Sequence, residues 1–112
     1  MIITNLSAVL DALGDFSWKD WLYIKEPSKV HPNSECLVLN VDAAEIGSDD
    51  FTPLEAEKLG MDEFLSIQDI NSVVKNLKSW NSNPSNEQIC IAIAHYFEKD
   101  AFLPALPNEK LI

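Results

Sequence analysis

Apolar residues recur along this chain with two different periods, and the switches between them lay out its elements. Leu6, Val9, Leu10 and Leu13 keep the i, i+3, i+4, i+7 spacing of one helical face. Thr4 or Asn5 is available as the N-cap, and Gly14 stands where such a helix would stop. Phe16-Ser17-Trp18 then leads into Trp21-Leu22-Tyr23-Ile24, an aromatic and β-branched run closed by Pro27 that predicts a strand. Residues 28–34, with Pro32 and Asn33, read as turn or loop, and Glu35 to Val41 is the clearest strand in the sequence. The two strands are expected to pair antiparallel.

Thr52-Pro53-Leu54-Glu55 has the form of a capping box, with proline at the first helical position and Gly60 placed to end a short helix. Glu63-Phe64-Leu65-Ser66 predicts a further short strand. Ser66 and Asp69 can then cap a helix whose inner face is Ile70, Val73, Val74 and Leu77, continued by Trp80. Residues 81–86 are a polar break, and Glu87-Gln88 opens Ile89 to Phe97. The alternation of Ile89, Ile91 and Ile93 also suits a strand. The acidic lead-in, Ala92 and Ala94, and the spacing of Ile89, Ile93, Tyr96 and Phe97 favour a helix. Residues 104–112, with two prolines, are expected to wrap or fray. The fold expected is α+β: one domain spanning residues 1–112, with a small antiparallel sheet of two to three strands packed against four or so helices.

Composition narrows the function. At 112 residues and 46% hydrophobic content, with five Phe, three Trp and two Tyr, the chain has the makings of a core that disordered acidic tails lack. Its formal charge is −10, and all eight basic residues are lysine. Without arginine's planar fork, and against phosphate repulsion, direct nucleic-acid binding is disfavoured. The N-terminal Met1 to Asn5 has no basic flank and no cleavage pattern, and no apolar run approaches bilayer-spanning length. A soluble, cytoplasmic chain is expected, with Cys36 and Cys90 as buried apolar side chains rather than a disulfide.

The charge is concentrated. Between residues 42 and 63, eight carboxylates (Asp42, Glu45, Asp49, Asp50, Glu55, Glu57, Asp62 and Glu63) face a single lysine, Lys58, so this stretch contributes −7 of the −10. A field this dense repels itself and steers cationic partners toward it. A merely solvated surface also looks like this, but here Phe51, Leu54 and Met61 are interleaved with the acids, and interfaces need apolar anchors inside a charged rim. Trp18, Trp21 and Trp80 are assigned to the core rather than to contact.

No pattern for catalysis or cofactor binding competes. His31 precedes a proline in a loop, and His95 lies on an apolar helix with Ile91 and Lys99 four residues to either side, so neither has a partner for metal or nucleophile chemistry. Asp49-Asp50 lacks the alternating ligands of a calcium loop, and Gly14, Gly47 and Gly60 are isolated, so there is no phosphate cradle. The protein is expected to have no enzymatic activity, no metal and no cofactor.

Several segments together carry a resemblance: Phe16-Ser17-Trp18-Lys19-Asp20-Trp21-Leu22-Tyr23 after an opening helix, Phe64-Leu65-Ser66-Ile67-Gln68-Asp69-Ile70 with Val73-Val74-Lys75-Asn76-Leu77, and Tyr96-Phe97-Glu98-Lys99-Asp100-Ala101-Phe102. In these, and in being small, acidic and free of catalytic motifs, the chain resembles the bacterial immunity proteins of polymorphic toxin systems, particularly those of contact-dependent growth inhibition. The resemblance implies a cytoplasmic protein that binds the C-terminal toxin domain of a matching effector, often a nuclease such as an RNase, and blocks its active site or another essential surface. It supplies no interface motif. The candidate contacts therefore come from the charge argument: Asp42, Glu45, Asp49, Asp50, Glu55, Glu57, Asp62 and Glu63, with Phe51 as apolar anchor. A nucleic-acid mimic that inhibits a DNA- or RNA-binding protein, and a regulatory subunit docking through a tryptophan-rich face, are the competing readings.

Overall fold

Strand β3 (Glu35–Leu39) is buried on both of its sides, and the architecture follows from that. The computed structural model of the protein describes residues 3–40 and 53–103. Along β3 the side chains alternate between two clusters: Cys36 and Val38 meet one, Leu37 and Leu39 the other. Strand β2 (Trp21–Ile24) pairs antiparallel with it, Trp21 opposite Leu39 and Ile24 opposite Cys36. Its own alternation matches: Leu22 and Ile24 join the first cluster, Tyr23 the second.

Two more strands complete an antiparallel sheet of order β1-β3-β2-β4. Strand β4 (Asp62–Ser66) runs beside β2, as the sequence predicted from Glu63 onward. Its register shifts between Leu22, which faces Leu65, and Tyr23, which faces Glu63. The residue left over is Phe64. A bulge of this kind breaks the alternation, and both Phe64 and Leu65 consequently enter the first cluster. Strand β1 (Ile3–Asn5) pairs with the outer side of β3 and corrects the expected two to three strands to four. Three residues before a helix carry no strand signal of their own. Their extended form is set by β3, thirty-odd positions away in sequence.

Helices cover both faces. Helix α1 (Leu6–Asp11), α3 (Ile67–Lys78) and α4 (Asn86–Lys99) fill the first cluster with Leu6, Val9, Leu10, Ile67, Ile70, Val73, Leu77, Ile89, Cys90, Ala92 and Ile93. The short α2 (Leu54–Leu59) brings Ala56 and Leu59 to the second, where Met61 joins Tyr23, Leu37 and Leu39. Residues 89–97 are thus helical, and the helix starts three residues earlier than Ile89. Ser85 Oγ accepts from Gln88 N–H at 3.1 Å while Gln88 Oε1 accepts from Ser85 N–H at 2.8 Å, a capping box. Asn86 ties the start of α4 to α1, donating through Nδ2 to Ser7 Oγ at 2.8 Å and Asp11 Oδ1 at 3.2 Å.

Most caps fall where the sequence puts them. Asn5 caps α1 through Ala8 N–H, and Ser66 caps α3 through Asp69 N–H. Two differ. Gly14 does not end α1, which stops at Asp11; it lies inside a 3-10 turn, Leu13–Asp15. Pro53 is the N-cap of α2 rather than its first helical residue, with no side-chain cap, and Thr52 falls outside the described residues together with Val41 and the expected tail 104–112. Cys36 and Cys90 are free and buried.

Gly60 ends α2 as predicted, in the left-handed region at φ 67°, its N–H reaching back to the carbonyls of Ala56 and Glu57. A Cβ there would meet no atom within 4 Å, so Gly60→Ala should cost the backbone strain alone, about 1–2 kcal/mol. Gly14, equally uncrowded and with no positive φ, should accept alanine without loss. Thermal unfolding followed by circular dichroism distinguishes the two: a drop of roughly 5 °C is expected for Gly60→Ala and none for Gly14→Ala.

Candidate functional site

Burial of α2 against the second cluster and of the end of β4 in the first fixes where four of the predicted contact residues lie. On α2, Ala56 turns inward and is fully buried, which leaves Glu57 and Lys58 exposed and Glu55 half-buried. Only Gly60 and Met61 separate that helix from Asp62 and Glu63 at the start of β4, both exposed. The acids of the helix and of the strand are thus separated by one short turn, and those of the strand lie on β4, an edge strand of the sheet. Asp42, Glu45, Asp49, Asp50 and Phe51 lie outside the described residues.

Two of these charges, Asp62 and Glu63, lack a paired cation among the described residues. The ion pairs of the protein include Lys25–Glu35 at 3.3 Å and Lys29–Glu26 at 3.9 Å, both in and around the β2–β3 connection. Glu55 Oε2 is shut off from solvent without a hydrogen-bond donor, a costly position for a carboxylate oxygen. The register sets Glu63 beside Tyr23, which is 2% exposed. Burial first, and the Glu63 charge second, push the Tyr23 hydroxyl up to about 12.

The tryptophans divide. Trp21 is half-buried against the second cluster and Trp80 against the first, as a core assignment requires. Trp80 also lines a small cleft of about 60 Å³ with Leu77, Asn81, Gln88, Ile91 and Leu103, and its buried indole Nε1 has no acceptor. Trp18 overturns the core assignment: it is 59% exposed, with Lys19 Nζ 5.4 Å from the centre of its ring. The sequence did hold a signal for this. Ser17 and Asp20 bracket Trp18-Lys19 in the positions that close a β-turn, and a turn apex points outward.

The remaining candidate chemistry has structural employment. His31 is exposed in its loop and accepts the Asn33 N–H through Nδ1 at 3.0 Å. His95 is half-buried on α4. Burial, and then mutual charge, pushes the Cys36 thiol up to about 12, and burial followed by Glu87 pushes Cys90 up to about 11, so both stay protonated and poorly nucleophilic. Among the described residues no three metal-ligating side chains cluster, and no helix is long and apolar enough to cross a membrane.

Residues 2–105 match one family, described as a domain of unknown function (DUF7716), and the chain belongs to it. No curated protein and no solved structure matches the chain.

Tyr23 makes stability depend on pH in a defined direction. Folding holds its proton more tightly than the unfolded chain does, so its contribution is full below the ordinary tyrosine value of 10.0 and is lost as pH rises toward about 12. The two thiols add to this loss in the same sense from pH 9.0 upward. Urea unfolding across this range should show declining stability for the native sequence and a shallower decline for Tyr23→Phe. Equal slopes would mean that Tyr23 ionises freely. Glu63→Gln should lower the Tyr23 midpoint in a tyrosinate absorbance titration.

Proposed function

We propose that this DUF7716 protein is an immunity protein that binds and neutralises a basic toxin domain, a nuclease such as an RNase, delivered by contact-dependent growth inhibition. The observation that carries the reading is the pair Asp62 and Glu63, exposed at the start of edge strand β4 with no ion pair to a cation among the described residues, two residues after the acidic helix α2. Like charges gathered this way lower the stability of the free protein, and a partner that neutralises them recovers the loss. The bias is present in the sequence as a whole, at −10, and in the stretch 42–63 at −7.

A nuclease must attract phosphate and so presents cations around its active cleft. An acidic inhibitor competes for that surface, and the attraction that draws substrate in draws the inhibitor in as well. Inhibition is then a matter of occupancy: the acids raise the rate of encounter and select for basic partners, while apolar contacts set how long the complex lasts. No turnover is required of the chain. The place of action is the cytoplasm, where a delivered toxin meets its substrate. Of the predicted contacts, Glu55, Glu57, Asp62 and Glu63 are assigned to the partner surface on their position on α2 and at the start of β4, and Asp42, Glu45, Asp49, Asp50 and Phe51 on the charge pattern of the sequence.

The test starts from the genes that flank this chain's own: an effector with a basic C-terminal domain is expected among them, and its absence counts against the reading. One equivalent of the chain should suppress that domain's nuclease activity and protect cells that express it, with an association rate that falls steeply as salt is added. Asp62→Lys with Glu63→Lys should slow association about ten-fold or more while leaving the fold intact by circular dichroism. An unchanged rate moves the interface away from β4. Salt-sensitive binding to many unrelated nucleic-acid-binding proteins instead of this domain would establish nucleic-acid mimicry.

A further inference from the structure

Trp18 sits at the apex of a turn that the structure braces from both ends. Asp20 N–H donates to the Ser17 carbonyl at 3.0 Å, closing the turn. Ser17 N–H donates to Asp20 Oδ2 at 3.1 Å, and Lys19 N–H donates to Ser17 Oγ at 3.3 Å, so the two bracketing side chains take up the backbone donors on either side of the tryptophan. The base of the turn is tied to the start of α3, where Ile67 N–H donates to the Asp20 carbonyl at 2.8 Å, and the next residue, Trp21, opens β2. Held this way, the backbone under Trp18 has little freedom left to lose on binding.

The ring itself is left out of the core. Its neighbours in sequence are used: Phe16 packs on the first cluster and Trp21 on the second. Trp18 remains 59% exposed, its only ring partner among the described residues being the Lys19 ammonium. A solvated lysine over an indole is a weak and replaceable contact, and it marks the ring face as one that accepts a cation. Asp15, exposed, and Asp20, half-buried, lie within three residues of the ring, so the turn presents an aromatic face in an acidic setting. Rigid, exposed tryptophans with charged surroundings are the residues that dominate alanine scans of protein interfaces.

We propose that Trp18 is the apolar anchor through which the protein holds a basic protein partner, an arginine or lysine of that partner taking the place over the ring that Lys19 occupies in the free chain. This rests on the proposed function for the existence of the partner, and adds to it the residue that sets the lifetime of the complex. The choice of a cationic protein surface follows from charge complementarity with Asp15 and Asp20 and from the cation already on the ring. The Trp18 turn and the Asp62–Glu63 edge lie at opposite ends of the short β2–β4 pair, since Trp21 faces Ser66 and Ile24 faces Asp62. At about 3.3 Å per strand residue, one interface of ordinary size spans both.

The test is the kinetics of binding to a catalytically inactive form of the basic effector domain that the proposed function expects among the flanking genes. Trp18→Ala should keep the native melting temperature, weaken binding about thirty-fold or more, and do so through faster dissociation with the salt dependence of association unchanged. Trp18→Phe should recover part of the loss, and Lys19→Ala should leave affinity within about three-fold of the native value. If Trp18→Ala binds like the native chain while Asp62→Lys with Glu63→Lys does not, the anchor is overturned and the charge reading stands. A Trp18→Ala defect that comes with a lowered melting temperature and is not repaired by Trp18→Phe is structural, and overturns the anchor too. Absence of binding by the native chain overturns both.

Discussion

The central pair of strands has no wet side, and the rest of the molecule is arranged to satisfy that. Antiparallel sheets commonly leave one face to solvent. Here β2 and β3 send Leu22, Ile24 and Cys36 one way and Tyr23, Leu37 and Leu39 the other, all of them buried. Two coverings are therefore needed. The larger is α1, α3 and α4, whose apolar faces interlock with one side and with each other. The smaller is built around α2 and Met61, and six residues of helix are too few to persist alone in water. Helix α2 is helical because Ala56 and Leu59 have a sheet to lie on.

That dependence explains why the acidic edge is where it is. A helix that must put Ala56 and Leu59 down has Glu57 and Lys58 pointing away, and the Gly60 turn delivers the chain directly into β4 with Asp62 and Glu63 still outside the core. The bulge opposite Leu22 and Tyr23 then turns Phe64 and Leu65 together into the first cluster, where Phe64 meets Phe97 at 4.7 Å between ring centres. In five residues β4 passes from uncompensated charge to full burial. The charged end is tolerated because the apolar end secures the strand; with the registers interchanged, carboxylates would enter the core and the strand would not form.

The elements most legible in the sequence were those whose signal is local. β2, β3 and α3 each combine a local pattern with a cap or breaker, and Ser66, Gly60 and Pro27 mark boundaries within a residue or a few, whereas α4 carried helical and alternating patterns together. What was not legible depended on distant partners. Ile3 to Asn5 become a strand only because β3 offers a free edge, and nothing within the segment reports it. Trp18 was misassigned for a different reason: hydrophobicity counts toward burial by default, and the Ser17–Asp20 bracket that overrides it is a hydrogen-bond pattern, not a periodic one. The clustering of acids was plain in sequence, whereas the place of β4 at an edge of the sheet needed the fold.

The proposed function would set two separate physical demands, and the chain has residues suited to each in different kinds of structure. Rapid encounter needs charge, which acts over about a Debye length and tolerates imprecise placement, so acids on a short helix and a strand end suffice. A long-lived complex needs a desolvated contact whose geometry is fixed in advance, since ordering a mobile side chain and its backbone on binding would consume much of what burial supplies. The Trp18 turn meets that second demand through hydrogen bonds within four residues and an attachment to the first residue of α3, Ile67, not through packing of the ring. A ring packed into the core would be better fixed but out of reach, and a ring on an unbraced loop would be reachable but costly to order. The braced turn is the arrangement that leaves the indole both rigid at its base and free at its face.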